Sequence, residues 1–245
     1  DAAVRQSEYG EVIPFCPTLV IDEAHQLEDV ATQYFGSSLS AYRIEDLVRD
    51  GERLLGAGRA GRDDPEEFAR ALTRVADRSR GFFSGLALAR APHGGGAGQE
   101  SRVRYTAESL AEHFEDGMAL TGALEGLEAT LALAQPPAAA ESDRGLAPTD
   151  TSEAVVALQR RTSELRSDLR FLMRAADPDF VYYIETRGSG RFATRLLLRA
   201  SPIDVSRIVR DVLFERMRAV VLTSATLAVD GSFDYVKGRL GVRQA

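Results

Sequence analysis

The residues best suited to chemistry follow a short apolar run near the start of the sequence. In Thr18-Leu19-Val20-Ile21-Asp22-Glu23-Ala24-His25, two adjacent carboxylates and a histidine stand where the greasy segment stops. Adjacent Asp and Glu at the end of a buried strand suit nucleotide hydrolysis: the first carboxylate binds Mg2+, usually through its water, and the second orients and deprotonates the attacking water. They must be neighbours because metal and nucleophile lie on adjoining sides of the γ-phosphate. Asp22 and Glu23 fit those roles. His25 is not at the spacing of a general base for either acid, and a conformational relay to a neighbouring strand is its more natural use. Two other readings compete. Acids after an apolar run often mark only a strand end or a helix N-terminus, where the helix dipole favours them. A hydrolytic metal cluster of Asp22, Glu23, His25, Glu28 and Asp29 lacks the His-Glu-x-x-His geometry, and a following helix would spread three of its members around its axis.

A second polar cluster, Thr223-Ser224-Ala225-Thr226, ends another apolar run, Ala219 to Leu222. By itself it reads as a strand end or helix cap. Together the two ends reinforce each other: small hydroxyl side chains beside His25 would pass on a nucleotide-dependent shift without doing bond chemistry.

The elements that must position these residues follow from hydrophobic periodicity. Thr18 to Ile21 and Ala219 to Leu222 lack alternation and are rich in β-branched residues, the pattern of parallel strands buried on both faces. Their polar ends then lie at the carboxyl edge of the sheet, where open α/β sheets bind ligands. Between them the period becomes helical. Phe68, Leu72, Val75, Ser79, Phe82, Leu86 and Ala89 form one stripe. A second runs through Leu110, Phe114, Gly117, Thr121, Leu124, Leu127 and Leu131, and a third through Val155, Leu158, Thr162, Leu165, Leu169 and Leu172. With a shorter helix from Ile44 to Leu55, these stripes predict an antiparallel bundle. Glycine- and proline-rich breaks fall at residues 56–61, 93–98 and 135–148. Residues 181–185 and 192–198 flank Gly188-Ser189-Gly190, a hairpin signal, and a short helix from Val205 to Phe214 precedes the second buried strand. The fold class expected is α/β with a large α-helical insertion.

Composition bounds the function. The chain has 245 residues, 44% of them hydrophobic, as in globular proteins. It contains no run long and apolar enough for a membrane helix, and Asp1 to Arg5 lacks the start of a signal peptide, so a cytoplasmic protein is expected. The net charge of −7 provides no global attraction to phosphate. Cys16 is the single cysteine; it excludes an internal disulfide and cannot alone ligate a zinc ion or an iron–sulfur cluster, and it reads as a buried structural thiol. Lys237 is the single lysine and is followed by Gly238, so no Gly-x-x-x-x-Gly-Lys-[Ser/Thr] phosphate loop is present in these residues. The missing initiator Met adds to the expectation of a piece of something longer.

The residues "VIDEAH" and "LTSATL" resemble motifs II and III of superfamily 2 helicases, and their arrangement resembles the DinG/XPD-type DNA helicases. Ordinary members of the superfamily separate the two motifs by a few tens of residues. Here roughly 200 residues of helical pattern intervene, as the arch domain does in the DinG/XPD group. "SPIDVSRIVRDVLF" and "TLAVDGSFDYVKGRLGV" are also similar to that group. The resemblance implies a partial RecA-like parallel sheet plus a helical arch: residues 1–35 and 179–245 in motor domain 1, and 36–178 in the arch. It implies ATP and Mg2+ as cofactors, Asp22 as the Mg2+ ligand through water, Glu23 as the water-activating residue, and His25, Ser224 and Thr226 as coupling elements. It further implies five-prime to three-prime movement on single-stranded or forked DNA, a role in repair or replication stress, and a monomer without membrane attachment in the bacterial cytosol or nucleoid. The remaining helicase domains, the phosphate loop and the ligands of any iron–sulfur cluster would lie outside this chain, which is expected not to hydrolyse ATP by itself.

Arg166, Arg170 and Arg174 recur every four residues, with Arg160 and Arg161 nearby. They read either as a phosphate-tracking stripe facing DNA or as a solvated face neutralised by Glu164 and Asp168. Phe82-Phe83 and Tyr182-Tyr183 read either as base-stacking pairs or as core. The competing function is a non-catalytic nucleic-acid or protein interaction module that retains helicase-like flanks.

Overall fold

A computed structural model describes residues 16–57, 64–89, 101–133, 150–187 and 195–242. The chain divides into two compact units. The first comprises Asp1–Ser37, Asp177–Val181 and Ala200–Ala245; the second comprises Ser38–Ala176 and Tyr182–Arg199.

In the first unit, strand β1 (Thr18–Ile21) pairs in parallel with β6 (Ala219–Leu222), and Thr18 lies opposite Ala219 and Ile21 opposite Leu222. A 3-10 turn (Ala24–Gln26) follows β1 and leads into helix α1 (Leu27–Tyr34). Ahead of β6 lie α6 (Ser206–Val209) and a π-turn (Arg210–Phe214), where sequence periodicity predicts one helix over 205–214. Helix α7 (Asp234–Leu240) follows β6. Ala31, Val205 and Val209 form the core of this unit, with Leu27, Phe35, Leu213 and Phe214 packed on them.

Both strands fall where the apolar runs predict, but they are not buried on both faces. Val20 is 63% exposed and Val221 48% exposed, because among the described residues this sheet has two strands and one of its faces has no covering layer. Cys16 is free and half-buried, not fully buried, since it sits just before the strand.

The second unit is a helical bundle joined to a sheet. Helices α2 (Ala41–Gly56), α3 (Pro65–Ala89), α4 (Phe114–Leu133) and α5 (Asp150–Arg174) pack in a ring in which α2 touches α3 and α5, and α4 touches α3 and α5. The ends are set locally. The Ser40 hydroxyl accepts the Arg43 N–H at the start of α2, and Asp64 accepts the Glu67 N–H while Pro65 occupies the first helical position of α3. Gly51 permits the close crossing of α2 and α3, since a Cβ there would lie 2.5 Å from Leu72 Cδ2.

The predicted stripes form the core. Phe68, Val75, Phe82, Leu124, Leu127, Leu131, Leu165, Leu169 and Leu172 are fully buried. Buried Thr121 and Thr162 return their hydroxyls to the carbonyls of Gly117 and Leu158, which satisfies them without a partner helix. Phe114 departs from its stripe and is exposed: Leu110 belongs to a separate 3-10 turn (Glu108–His113), so α4 starts at Phe114 on a different phase. The breaks at 58–61, 93–98 and 135–148 and the turn at 188–190 lie outside the described residues, as does the side chain of Ala89.

Strands β2 (Ser37–Ser40), β3 (Ser101–Arg104), β4 (Phe180–Arg187) and β5 (Arg195–Pro202) form a sheet in the order β2-β5-β4-β3, and β3 runs antiparallel to β4. The hairpin signal is realised as the neighbouring strands β4 and β5. The four-residue strands β2 and β3 carry serines and arginines and no apolar alternation, so periodicity does not reveal them. One face of the sheet turns to the helices: the Tyr182 ring lies 5.5 Å from Phe171, and the Tyr105 hydroxyl donates to the Leu172 carbonyl at 3.0 Å. Phe82, Phe83 and Tyr182 are buried, which makes them core; Tyr183 is half-buried.

Candidate functional site

The in-register pairing of β1 and β6 brings the two polar clusters to one strand edge. The ladder continues past the strands, with the Thr223 N–H donating to the Ile21 carbonyl at 2.9 Å and the Ala24 N–H to the Thr223 carbonyl at 3.0 Å. Residues distant in sequence, Asp22 and Thr223, are thereby held side by side.

Asp22 accepts two bonds on the same oxygen, Oδ1: one from the Thr223 hydroxyl at 2.7 Å and one from the Glu23 backbone N–H at 3.0 Å. The Thr223 hydroxyl, then the Glu23 N–H, hold the Asp22 carboxyl below its ordinary 3.8, so it is ionised at neutral pH. Its second oxygen accepts no bond among the described residues.

Glu23 breaks from strand geometry. Its backbone is left-handed, with φ 51° and ψ 40°, a conformation that costs a non-glycine residue energy. After this turn Ala24 is buried and the chain enters the 3-10 segment, which places His25 beside Glu23. His25 Nδ1 lies 2.8 Å from Ser224 Oγ and 3.2 Å from Glu23 Oε2, while the Ser224 hydroxyl is 3.4 Å from the same Glu23 oxygen. Glu23, His25 and Ser224 thus form a closed triangle. Thr226 enters through its backbone N–H, which donates to Ser224 Oγ at 3.4 Å; its own hydroxyl makes no bond among the described residues.

Residue type alone gives Thr223 no role beyond membership of its polar cluster. Aligning the ends of the two apolar runs would have found it, because parallel strands in register set the residue after Leu222 beside the residue after Ile21.

The chemistry of this donor set fits a hydrated divalent cation. Among the described residues no group of three or more His, Cys, Asp or Glu side chains could cage a metal, and Asp22 offers a single open carboxylate oxygen. Mg2+ is commonly held in this way, by one or two carboxylates, with water and substrate phosphate filling its other positions.

The arginines of α5 lie elsewhere, in the second unit, and are engaged with neighbouring helices. Arg166 Nε lies 2.9 Å from Glu128 and its Nη1 3.3 Å from Glu125, and Arg170 contacts Glu125, both acids belonging to α4. Arg161 reaches α2, at 2.7 Å from Asp46 and 2.6 Å from Asp50, and Asp168 pairs with Arg43 of α2 at 2.9 Å. Of the carboxylates expected to neutralise this helix, Glu164 pairs with Arg160 at 3.8 Å. Arg174 is exposed.

Two polar strand ends joined by a histidine, on a parallel pair separated in sequence by a helical unit, are consistent with a segment of a DinG/XPD-type DNA helicase, and comparison with known proteins finds relatives of that kind. The chain is similar over all 245 residues to the ATP-dependent DNA helicase YoaA of Escherichia coli K12, at 28% identity, and to that of Haemophilus influenzae, at 27%. In each case the match takes in the whole of this chain and 34% of the relative, so the chain spans about a third of the length of these curated relatives. A stretch of 74 residues, 30% of this chain, is 36% identical to 8% of the protein named 3'-5' exonuclease DinG of Bacillus subtilis. No family model matches the chain. Among the described residues no helix is long and apolar enough to cross a membrane.

Proposed function

We propose that this chain is the motif II to motif III segment of an ATP-dependent DNA helicase, supplying one half of the nucleotide-hydrolysis site. The first unit belongs to a RecA-like motor domain and the helices of the second form its arch. The observation that carries the reading is the junction at the strand edge, where Asp22, Glu23, His25, Thr223 and Ser224 meet through bonds of 2.7 to 3.4 Å.

ATP with Mg2+, when bound, supplies the phosphoanhydride and the charge that stabilises its cleavage. Asp22, kept ionised by Thr223, holds the hydrated cation through its open oxygen. Glu23 takes a proton from the attacking water, and His25 and Ser224 fix the direction of its carboxylate. A change in the position of Glu23 must therefore be felt by Ser224 and, through the Thr226 N–H, by the chain after β6. That route is the coupling between hydrolysis and movement. The left-handed backbone at Glu23 supports a functional role for this strand end, since strain of this kind concentrates at functional sites.

The complete protein acts on single-stranded or forked DNA, moves five-prime to three-prime, and serves repair or replication stress. The phosphate loop, the second motor domain and any iron–sulfur cluster come from parts of that protein outside these 245 residues, and the 245-residue chain alone does not hydrolyse ATP. The exonuclease activity named for the Bacillus protein is not carried over, because the match covers 8% of it.

The test is Glu23→Gln in the intact protein. It should abolish DNA-stimulated ATP turnover while leaving nucleotide binding unchanged, and normal turnover would overturn the assignment. DNA-stimulated hydrolysis by the purified 245-residue chain would overturn the division of the site.

A further inference from the structure

The arginines of the helical bundle are largely consumed by carboxylates, but those of the sheet are arranged differently. In the β3/β4 register Arg102 lies opposite Glu185 and Arg104 opposite Tyr183, so these four side chains share one face. It is the face opposite Tyr182, whose ring lies against Phe171 of α5, and opposite Ile184. Glu185 is buried there, 2.9 Å from Arg199 and 3.7 Å from Arg102. One carboxylate thus stands between two guanidiniums among the described residues. The Arg102 guanidinium also lies over the Tyr183 ring, 5.8 Å from its centroid, yet its side chain is 65% exposed. Arg104 is exposed and has no acidic partner among the described residues.

This is a pre-oriented arrangement. Arg102 is held from beneath by an aromatic face and from the side by a buried carboxylate, leaving guanidinium N–H donors toward solvent. Two residues along the same edge strand, about 7 Å away at the rise of a β-strand, Arg104 offers a second cation. Planar guanidiniums at fixed spacing suit the oxygens of successive phosphates better than isolated carboxylates, which would meet the buried charge of Glu185. We propose that the exposed edge strand β3, with Arg102 and Arg104 as phosphate contacts and Tyr183 of β4 supporting Arg102, is a track for the backbone of single-stranded nucleic acid. The proposal rests on the DNA-helicase reading and deepens it. It puts the strand on the sheet and not on Arg166 and Arg170, whose guanidiniums are occupied by Glu125 and Glu128.

The experiment measures binding of a fluorescein-labelled oligothymidylate to the intact protein by anisotropy across a salt series, for the parent, Arg102→Ala/Arg104→Ala, and Arg166→Ala/Arg170→Ala. For single strands each phosphate contact contributes about 0.7 to the salt slope, so the sheet variant should lose about 1.4 of that slope and about tenfold in affinity, while the helix variant keeps the parent slope. Should the double sheet variant fold poorly, Arg104→Glu, which breaks no ion pair among the described residues, should still weaken binding. A parent slope in Arg104→Glu, or a slope lost only in the helix variant, overturns the track and leaves the helicase reading standing. Failure of the parent to bind the oligonucleotide overturns both. A labelled polyglutamate that loses binding in the sheet variants while the oligonucleotide does not would reassign the surface to acidic peptides and overturn the proposal.

Discussion

Glycine at position 23 should make the first unit more stable while destroying its chemistry. Glu23 adopts φ 51° and ψ 40° immediately after β1. For an L-residue with a Cβ this region costs about 1–2 kcal/mol. Glycine removes that cost, but it returns about 0.4–1 kcal/mol of freedom to the unfolded chain. The difference leaves Glu23→Gly more stable by about 0.5–1 kcal/mol, if the modest contacts of the exposed Glu23 side chain with Ser224 and His25 are neglected. Glu23→Gln is the control, because it keeps the Cβ, the strain and an oxygen that can accept from Ser224. The assay is native-state amide hydrogen exchange at the paired strands, read at Ala219 and Thr223, whose N–H groups are bonded to the Pro17 and Ile21 carbonyls, since these report opening of the first unit without requiring the second to unfold. The expected gain corresponds to exchange about two- to fivefold slower in Glu23→Gly than in Glu23→Gln, taking about 1.4 kcal/mol per tenfold change. In the intact protein both variants should lack ATP turnover. Exchange in Glu23→Gly as fast as in the Gln control, or faster, would refute the claim that the acid is held there under backbone strain.

Three further outcomes follow from the packing. Leu124→Ala, in the fully buried face of α4, should cost about 2–5 kcal/mol of stability, measurable as a lowered urea midpoint of the helical transition by circular dichroism. Gly241→Ala should destabilise the end of α7 by more than about 1 kcal/mol, because φ there is +70° and the new Cβ would collide with the Ser206 carbonyl oxygen; denaturant unfolding that matches the parent would contradict this. Arg161 is the main cause that holds the Asp46 carboxyl below its ordinary 3.8. A depressed carboxylate contributes stability above its unfolded pKa and loses it as pH falls through the folded value. Arg161→Met should therefore lower stability at neutral pH and shrink the acid-side decline of the parent, which paired urea titrations at about pH 7 and about pH 3 would reveal.

The primary structure was legible wherever the signal is local. Two unbroken apolar runs located β1 and β6 to the residue, and repeats of three and four located the buried faces of α3 and α5, since burial of one helix face imposes that spacing. The acids and hydroxyls at the strand ends were visible for the same reason, as abrupt changes from apolar to polar. Local pattern could not say that β2 and β3 are strands, because short strands of serine and arginine take their pairing from neighbours far along the chain. Nor could it show that Val20 and Val221 lack cover, which depends on what lies across the sheet face. The chemistry divides along the same line. Residue types alone named Asp22, Glu23 and His25 and the hydroxyl cluster from Thr223 to Thr226, and the family resemblance singled out Ser224 and Thr226 within it. Strand register, a long-range property, set Thr223 on Asp22 and brought Ser224 to the left-handed Glu23 and to His25. Tertiary packing likewise matched Arg166 and Arg170 with carboxylates of another helix while leaving Arg102 and Arg104 facing solvent.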